Sequence, residues 1–253
     1  MNIGLSFSGG GIKGVAHLGV LKALSEHNIK PTHISGTSAG AIVGALYAAG
    51  HDWEAIYDFF KTTPVFSIKR FARRKPGFLD SLLFHKDLSA YFSEDSFESL
   101  QLPLSITATT VITGQLRTFD AGPLINPVIA SASFPGIFTP IEIDGVHYFD
   151  GGVIDDFPIE PLVPKCDLII GSYVNPLSAI EIGDLKYSYQ VLNRAYEINL
   201  HQKGLNKFKD CDLLICPEKL AKFGTFSMRS IPAIFEIGYE EACKQLENSD
   251  LFK

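Results

Sequence analysis

Thr32-His33-Ile34-Ser35-Gly36-Thr37-Ser38-Ala39-Gly40, running on into Ala41-Ile42-Val43-Gly44-Ala45-Leu46-Tyr47-Ala48-Ala49, is the stretch whose reading decides how this chain is built. Thr32 to Ser35 reads as a short strand, and Ala41 to Ala49 as an apolar, alanine-rich helix. Between them Gly36-Thr37-Ser38-Ala39-Gly40 matches Gly-x-Ser-x-Gly, a sharp strand-to-helix turn that exposes a serine hydroxyl. Side chains at positions 36, 39 and 40 would crowd that turn or block approach to the hydroxyl, which is why those residues are small. Ser38 is therefore the candidate nucleophile, with Gly36 and Gly40 as the frame of the elbow.

Outward from the elbow, strand-like and helix-like runs alternate, the pattern of a layered α/β fold. Ile3 to Ser8 reads as a buried strand. Ile12 to His27 reads as a helix that buries Val15, Leu18, Leu21, Ala23 and Leu24. Leu104 to Val111 and Gln115 to Phe119 read as strands joined by Ile112-Thr113-Gly114, and Thr139 to Asp150 as a hairpin around Asp144-Gly145. Asp167 to Val174 and Cys211 to Cys216 are further strands, followed by late helices at Leu185 to Leu205 and Ile231 to Leu246. Residues 64–99 break the pattern. There Lys69, Arg70, Arg73, Arg74 and Lys75 interleave with Phe66, Ile68, Phe71, Phe78 and Leu79. Such a stretch reads as a lid or cap, as a site of peripheral contact with an anionic lipid surface, or as a solvated basic loop packed by its own aromatics.

A serine hydroxyl needs a base to become a nucleophile, and donors aimed at the oxyanion that forms on attack. Ser8-Gly9-Gly10-Gly11-Ile12-Lys13-Gly14 follows the first strand and opens the first helix, where backbone N–H groups form an anion site unaided. The same residues spell Gly-x-Gly-x-x-Gly at Gly9, Gly11 and Gly14. A dinucleotide-binding turn expects an acidic residue at the end of the second strand, and that strand instead ends at Ser35 and runs into the elbow. For the base, Asp150 sits in Phe149-Asp150-Gly151-Gly152, where two glycines allow a sharp turn. A Ser-Asp-His order, with His201 downstream in a polar helical stretch that reads as surface, fits the fold usually associated with this elbow. His147 on the hairpin and His17 in the first helix have no distinctive neighbourhood. On chemistry alone a histidine triad stays open.

The chain has 253 residues, 46% hydrophobic and 20% charged, ordinary values for one large globular domain or two small ones. A net charge of −6 argues against nucleic acid as a partner. Cys166, Cys211, Cys216 and Cys243 form no Cys-x-x-Cys pair and no zinc cluster, so reduced and mostly buried thiols are expected. Met1 to Ser8 lacks a basic n-region and a cleavage site, and the apolar stretch Gly36 to Gly50 is shorter than the ~20 residues of a membrane helix. A cytoplasmic location is the default expectation, and nothing in the sequence specifies an oligomeric state.

Taken in order, the glycine loop Gly9 to Gly14, the elbow Gly36 to Gly40, Ala130-Ser131-Ala132-Ser133-Phe134-Pro135-Gly136-Ile137-Phe138 and Asp150-Gly151-Gly152 resemble the motifs of the patatin-like phospholipase family. Ala16-His17-Leu18-Gly19-Val20-Leu21 and Phe157-Pro158-Ile159-Glu160-Pro161 share that look. The likeness is clear over residues 3–162, within a single domain spanning 1–253. It implies a three-layer α/β sandwich with a central, mostly parallel sheet, and a lipid acyl hydrolase acting through an acyl-enzyme. By the same resemblance Ser38 is the nucleophile, Asp150 the proton acceptor in a Ser-Asp dyad without histidine, and Gly9, Gly10, Gly11, Ile12, Lys13 and Gly14 the oxyanion hole. It implies a lipid or other acyl ester as substrate and neither metal nor cofactor. An acyltransferase or thioesterase, or a lipid-binding module without turnover, are the alternatives. Two departures stand out. Ser8 replaces an aspartate of plant patatins, and Asp155-Asp156 falls where asparagine is frequent before the Phe-Pro pair. Asp155 and Asp156 read as surface or capping carboxylates; near Asp150, their charge would raise its pKa and shift the activity optimum upward.

Overall fold

Ile3, Leu5 and Phe7 alternate with Gly4 and Ser6, so a strand here presents an apolar face and a small, polar one. The computed structural model describes residues 1–63, 82–224 and 228–252 and places this segment as β1 (Ile3–Phe7), buried along its length. The other strands are β2 (His33–Thr37), β3 (Leu104–Thr110), β4 (Leu116–Phe119), β5 (Ile141–Ile143), β6 (Val146–Asp150), β7 (Leu168–Ser172) and β8 (Leu213–Ile215). Among the described residues they form one eight-stranded sheet with hydrogen-bonded order β5-β6-β3-β2-β1-β7-β8, β4 pairing with β3 as well. The central pairs β3-β2, β2-β1, β1-β7 and β7-β8 are parallel; β4, β5 and β6 are antiparallel additions. The β5-β6 hairpin turns at Asp144 and Gly145, both at positive φ (50° and 78°), as a tight two-residue turn requires.

The helices are α1 (Ala16–Glu26), α2 (Ala39–Ala48), α3 (Trp53–Thr62), α4 (Leu82–Ser89), α5 (Ile125–Ser131), α6 (Ser188–Lys207) and α7 (Ile231–Asn248). On one face α2 packs on β1, β2 and β3, α5 on β3 and β6, and α7 on α1 and β8. Leu5, Phe7, Leu168 and Ile170 join the main core there. Gly19 and Gly238 set the α1–α7 crossing: a side chain on either would collide with the backbone of the other helix. The opposite face carries a second cluster of Phe157, Ile159, Leu162, Ile169 and Tyr173, with Phe208 packed against it. Serine hydroxyls at Ser6 and Ser35 both donate to the Pro158 carbonyl, tying this second layer to β1 and β2.

The three-layer α/β architecture with a mostly parallel sheet matches the expectation from sequence. Details differ. β2 continues to Thr37, two residues past the predicted Ser35, because its parallel pairing with β3 holds it in the sheet up to the elbow. The first helix opens as a 3₁₀ turn at Gly11–Val15 before α1. The four cysteines are half-buried, not mostly buried; burial, with nearby carboxylates, pushes Cys211 and Cys216 up to about 12, so they remain thiols. Of the segment read as a lid, residues 64–81, with Lys69, Arg70, Arg73, Arg74 and Lys75, lie outside the described residues. Over 82–99, Phe84, Leu88 and Phe97 are buried in the main core. No helix among the described residues is long and apolar enough to cross a membrane.

His17 knits the layers at the C-terminal ends of β1 and β7. Its Nε2 lies 2.9 Å from the Ser8 carbonyl and its Nδ1 2.7 Å from Ser172 Oγ. A carbonyl only accepts, so Nε2 carries the proton and Nδ1 accepts from the serine hydroxyl. Complete burial lowers its pKa from 6.5 to about 4, against the Ser8 carbonyl, which raises it. The folded protein keeps His17 neutral while the unfolded chain takes up a proton below 6.5, so its contribution is full above 6.5 and is lost as pH falls through about 4. In urea titrations, the stability advantage of wild type over His17→Phe should shrink by about 3 kcal/mol between pH 6.5 and pH 4.

Candidate active site

Ser38 sits at φ 56° and ψ −122°, a conformation that costs a non-glycine residue of order 1–3 kcal/mol and is held only where the surroundings impose it. Three constraints do so. Thr37 is held by β3, α2 starts at Ala39, and the Ser38 N–H donates to Ser131 Oγ at 2.9 Å. Gly40 packs on the end of β1 so closely that a Cβ would collide with the Phe7 and Ser8 carbonyls. The elbow is thereby fixed against the start of the glycine loop.

Asp150 reaches Ser38 through strand register. Thr107 pairs with Thr37 and Thr118, while Ala108 pairs with Arg117 and Asp150. A strand has two edges, and β4 holds one of them at both positions. Asp150 therefore occupies the edge that β2 vacates when its chain turns away at Ser38. The Asp150 N–H donates to the Ser133 carbonyl at 3.1 Å, its Oδ1 accepts from the Gly152 N–H at 2.8 Å, and its Oδ2 accepts from Ser38 Oγ at 2.6 Å. One short segment, through Ser131 and Ser133, thus braces both partners. Gly151 and Gly152 form the 3₁₀ turn that follows, with Gly151 pressed on the Thr107 backbone. Burial raises Asp150 from 3.8 to about 7, against the Ser38 and Gly152 hydrogen bonds, which lower it.

The glycine loop contributes fewer residues to the site than the six expected. The Gly9 N–H already donates to the Asp156 carbonyl at 2.9 Å. Ile12 is buried in the core, and Gly14 packs against Ala39. Gly10 (φ 152°), Gly11 (φ 58°) and Lys13 line a cavity with Ser38 and Asp150. Lys13 is only 5% exposed; burial lowers its pKa, opposed by the charges of Glu197 and Asp156.

The cavity, about 60 Å³, is also lined by Phe134, Phe138, Asn175, Tyr196 and Leu200, which the sequence reading did not assign. Asn175 lies three residues past the C-terminal end of the parallel strand β7, the end where α/β sheets place ligands, so its position carried a signal. Tyr196 and Leu200 come from α6, four residues apart on one face, which roofs the cavity. Asp155 and Asp156, read as surface or capping carboxylates, are buried at 8% and 5% exposure because the chain at Phe157-Pro158 carries them under α6. Asp155 accepts from Lys207 Nζ at 2.6 Å and from the Phe157 N–H. Asp156 accepts from Asn175 Nδ2 at 2.8 Å. No histidine is among the residues lining the cavity. His147 pairs with Glu142 at the surface. His201, expected at the surface, is half-buried against the Tyr173 ring, since α6 turns that side toward the second core cluster.

Fold and site together define an α/β protein in which an elbow serine meets a buried aspartate beside a glycine loop. A family model described as patatin-like phospholipase matches residues 5–163, and the chain belongs to that family. It is 32% identical over 177 residues to an uncharacterized NTE family protein of Mycobacterium tuberculosis, covering 68% of this chain and 49% of that one. It is 30% identical over 219 residues to the lysophospholipase NTE1 of Eremothecium gossypii, covering 79% of this chain and 14% of that one. The chain thus spans about half the length, or less, of these curated relatives. VipD from Legionella pneumophila shares the fold at TM-score 0.58 and 15% identity, covering 98% of this chain and 67% of that one. The type III effector protein ExoU, of Pseudomonas aeruginosa, does so at 0.51 and 15%, covering 98% and 53%.

Removing the Ser131 hydroxyl leaves the Ser38 N–H without its acceptor. Ser131→Ala should cost about 2 kcal/mol, a fall of about 5 °C in Tm by calorimetry, and Ser131→Thr should recover most of it.

Proposed function

We propose that this chain is a serine lipid acyl hydrolase working through a Ser38–Asp150 dyad. The observation that carries this reading is the 2.6 Å hydrogen bond from Ser38 Oγ to Asp150 Oδ2 in a cavity that Gly10 and Gly11 also line. Asp150 takes the hydroxyl proton as Oγ attacks the ester carbonyl. The oxyanion is stabilised by the Gly10 and Gly11 N–H groups, each donor worth about 3 kcal/mol in related chemistry. The tetrahedral intermediate collapses, the ester C–O bond breaks, and the alcohol leaves with the proton from Asp150. Water then attacks the acyl-enzyme, gives its proton to Asp150, and the fatty acid departs as Ser38 regains its hydrogen. Asp150, raised to about 7, is matched to a base working near neutrality. Names of fungal relatives as lysophospholipases support a lipid ester as substrate.

At about 60 Å³ the cavity has room for water and not for an acyl chain, so substrate entry requires α6 to shift. The outer side of α6 exposes Val191, Leu192 and Ile198, apolar residues suited to peripheral contact with a lipid surface. In this reading the roof of the site is the part that meets the lipid.

With p-nitrophenyl esters, Ser38→Ala and Asp150→Asn should each lower kcat/KM at least ~10³-fold, while His201→Asn stays within about threefold of wild type. Loss of activity in His201→Asn, with the fold intact, would count for a triad instead. Because Asp150 must be ionised to accept the proton, kcat/KM should rise with pH and reach half its plateau near pH 7. An acid limb centred near 4, the ordinary aspartate range, would mean that burial does not raise Asp150.

A further inference from the structure

The cavity holds a second carboxyl that the dyad does not use. Asp156 Oδ2 accepts from Asn175 Nδ2 at 2.8 Å, and the same nitrogen donates to the Gly9 carbonyl at 2.9 Å. The Gly9 N–H closes the ring by donating to the Asp156 carbonyl at 2.9 Å. Asp156 Oδ1 lies against the Gly9 Cα, where any side chain would collide with it. Asp150 Oδ1, Asp156 Oδ1 and Tyr196 Oη each lie 3.1 Å from the point where a Gly152 Cβ would stand, so the two carboxyl oxygens are no more than about 6 Å apart.

The groups facing Asp156 come from several elements. They are Asp150 at the end of β6, Asp155 beside it, Lys13 in the 3₁₀ turn, Tyr173 after β7, and Tyr196 and Glu197 on α6. Asp155 is engaged by Lys207. That leaves the Lys13 ammonium among Asp150, Asp156 and Glu197 in the same cavity. Two carboxylates this close in low dielectric do not both ionise readily, and catalysis requires the charge on Asp150.

We propose that Asp156 is a positioning residue that works as a neutral carboxylic acid: with Asn175 it clamps the Gly9 end of the oxyanion loop, and its ionisation switches the enzyme off at alkaline pH. This role presupposes that Ser38 and Asp150 are the reacting pair. A negative charge on Asp156, packed on the loop that receives the oxyanion, opposes the charge that forms in the transition state. Burial raises Asp156 to about 8, countered by the Asn175 hydrogen bond and reinforced by the charge of Asp150. An asparagine at position 156 would retain an acceptor for Asn175 and could not ionise. An aspartate here adds pH dependence to the same clamp.

The test compares wild type, Asp156→Asn and Asn175→Ala over pH 5 to 10, with p-nitrophenyl butyrate as substrate and calorimetry alongside. Wild-type kcat/KM should fall above about pH 8. Asp156→Asn should keep the rise near pH 7, lose the alkaline fall, and exceed wild type about tenfold at pH 9. Asn175→Ala should lose about tenfold in kcat at every pH, with KM little changed and the alkaline fall retained. A carboxyl whose folded pKa is raised contributes stability below about 4 that is lost as pH rises through about 8, so the Tm of Asp156→Asn minus that of wild type should grow between pH 5 and pH 9. An alkaline fall unchanged in Asp156→Asn, or a Tm difference flat across that range, overturns the assignment, and wild-type kcat in Asn175→Ala overturns the clamp. Wild type inactive on every ester would strike at the hydrolase reading, and the melting series would still decide whether Asp156 holds its proton.

Discussion

The edge of β3 is the constraint on which the site depends. Up to Thr107 that edge belongs to β2; from Ala108 it belongs to β6. The handover happens because the chain at Ser38 turns out of the sheet into α2, and a vacated strand edge exposes backbone groups that need partners. The hairpin supplies them. Its last residue, Asp150, therefore arrives one register step beyond Thr37, close enough for its carboxyl to accept from Ser38 Oγ. Strain at Ser38, closure of the sheet edge and the hydroxyl–carboxyl contact are consequences of one local event.

Around that event the titratable groups are shielded from solvent. Asp150 and Asp156 are buried, and the nearest cation, Lys13, is buried with them. Burial of this kind raises the affinity of a carboxyl for its proton, which destabilises the fold at high pH and at the same time moves a base toward neutral pH. The Asp155–Lys207 pair, with Lys207 also bonded to Glu160 and to the Phe157 carbonyl, anchors the end of α6 to the turn that carries Asp156. The roof of the cavity and its floor are linked there, and again where Lys203 Nζ donates to the Val153 carbonyl at 3.1 Å.

Much of the fold was legible because periodicity reports burial directly. Ile3 to Ser8, Asp167 to Val174 and the run into the elbow read as strands, and the sheet places strands within each of them. The ends of elements were less legible. β2 extends to Thr37 because of its neighbour β3, a long-range pairing invisible to a local reading. Ser38 was found from its flanking glycines, since tight turns demand particular residues at particular positions, whereas Asp150 was singled out by the family resemblance of Asp150-Gly151-Gly152. Tyr196 and Asn175 were not found, because nothing local marks a side chain that becomes important only when a helix 20 residues long is laid over a sheet edge. Asp155 and Asp156 were misplaced for the same reason: charge predicts exposure unless a later element covers it.

The sequence by itself determined the elbow with its serine, the glycine loop and the strand–helix alternation, since each is dictated by backbone geometry over a few residues; Asp150 as the partner rested on family resemblance, with a histidine triad open on chemistry alone. Tertiary structure alone decided which glycine N–H groups remain open, which histidines lie away from the cavity, and that a second carboxyl shares it. Those outcomes depend on hydrogen bonds and burial between segments more than 100 residues apart, such as Gly9 with Asp156 and Ser38 with Asp150, and no local pattern in the chain encodes them.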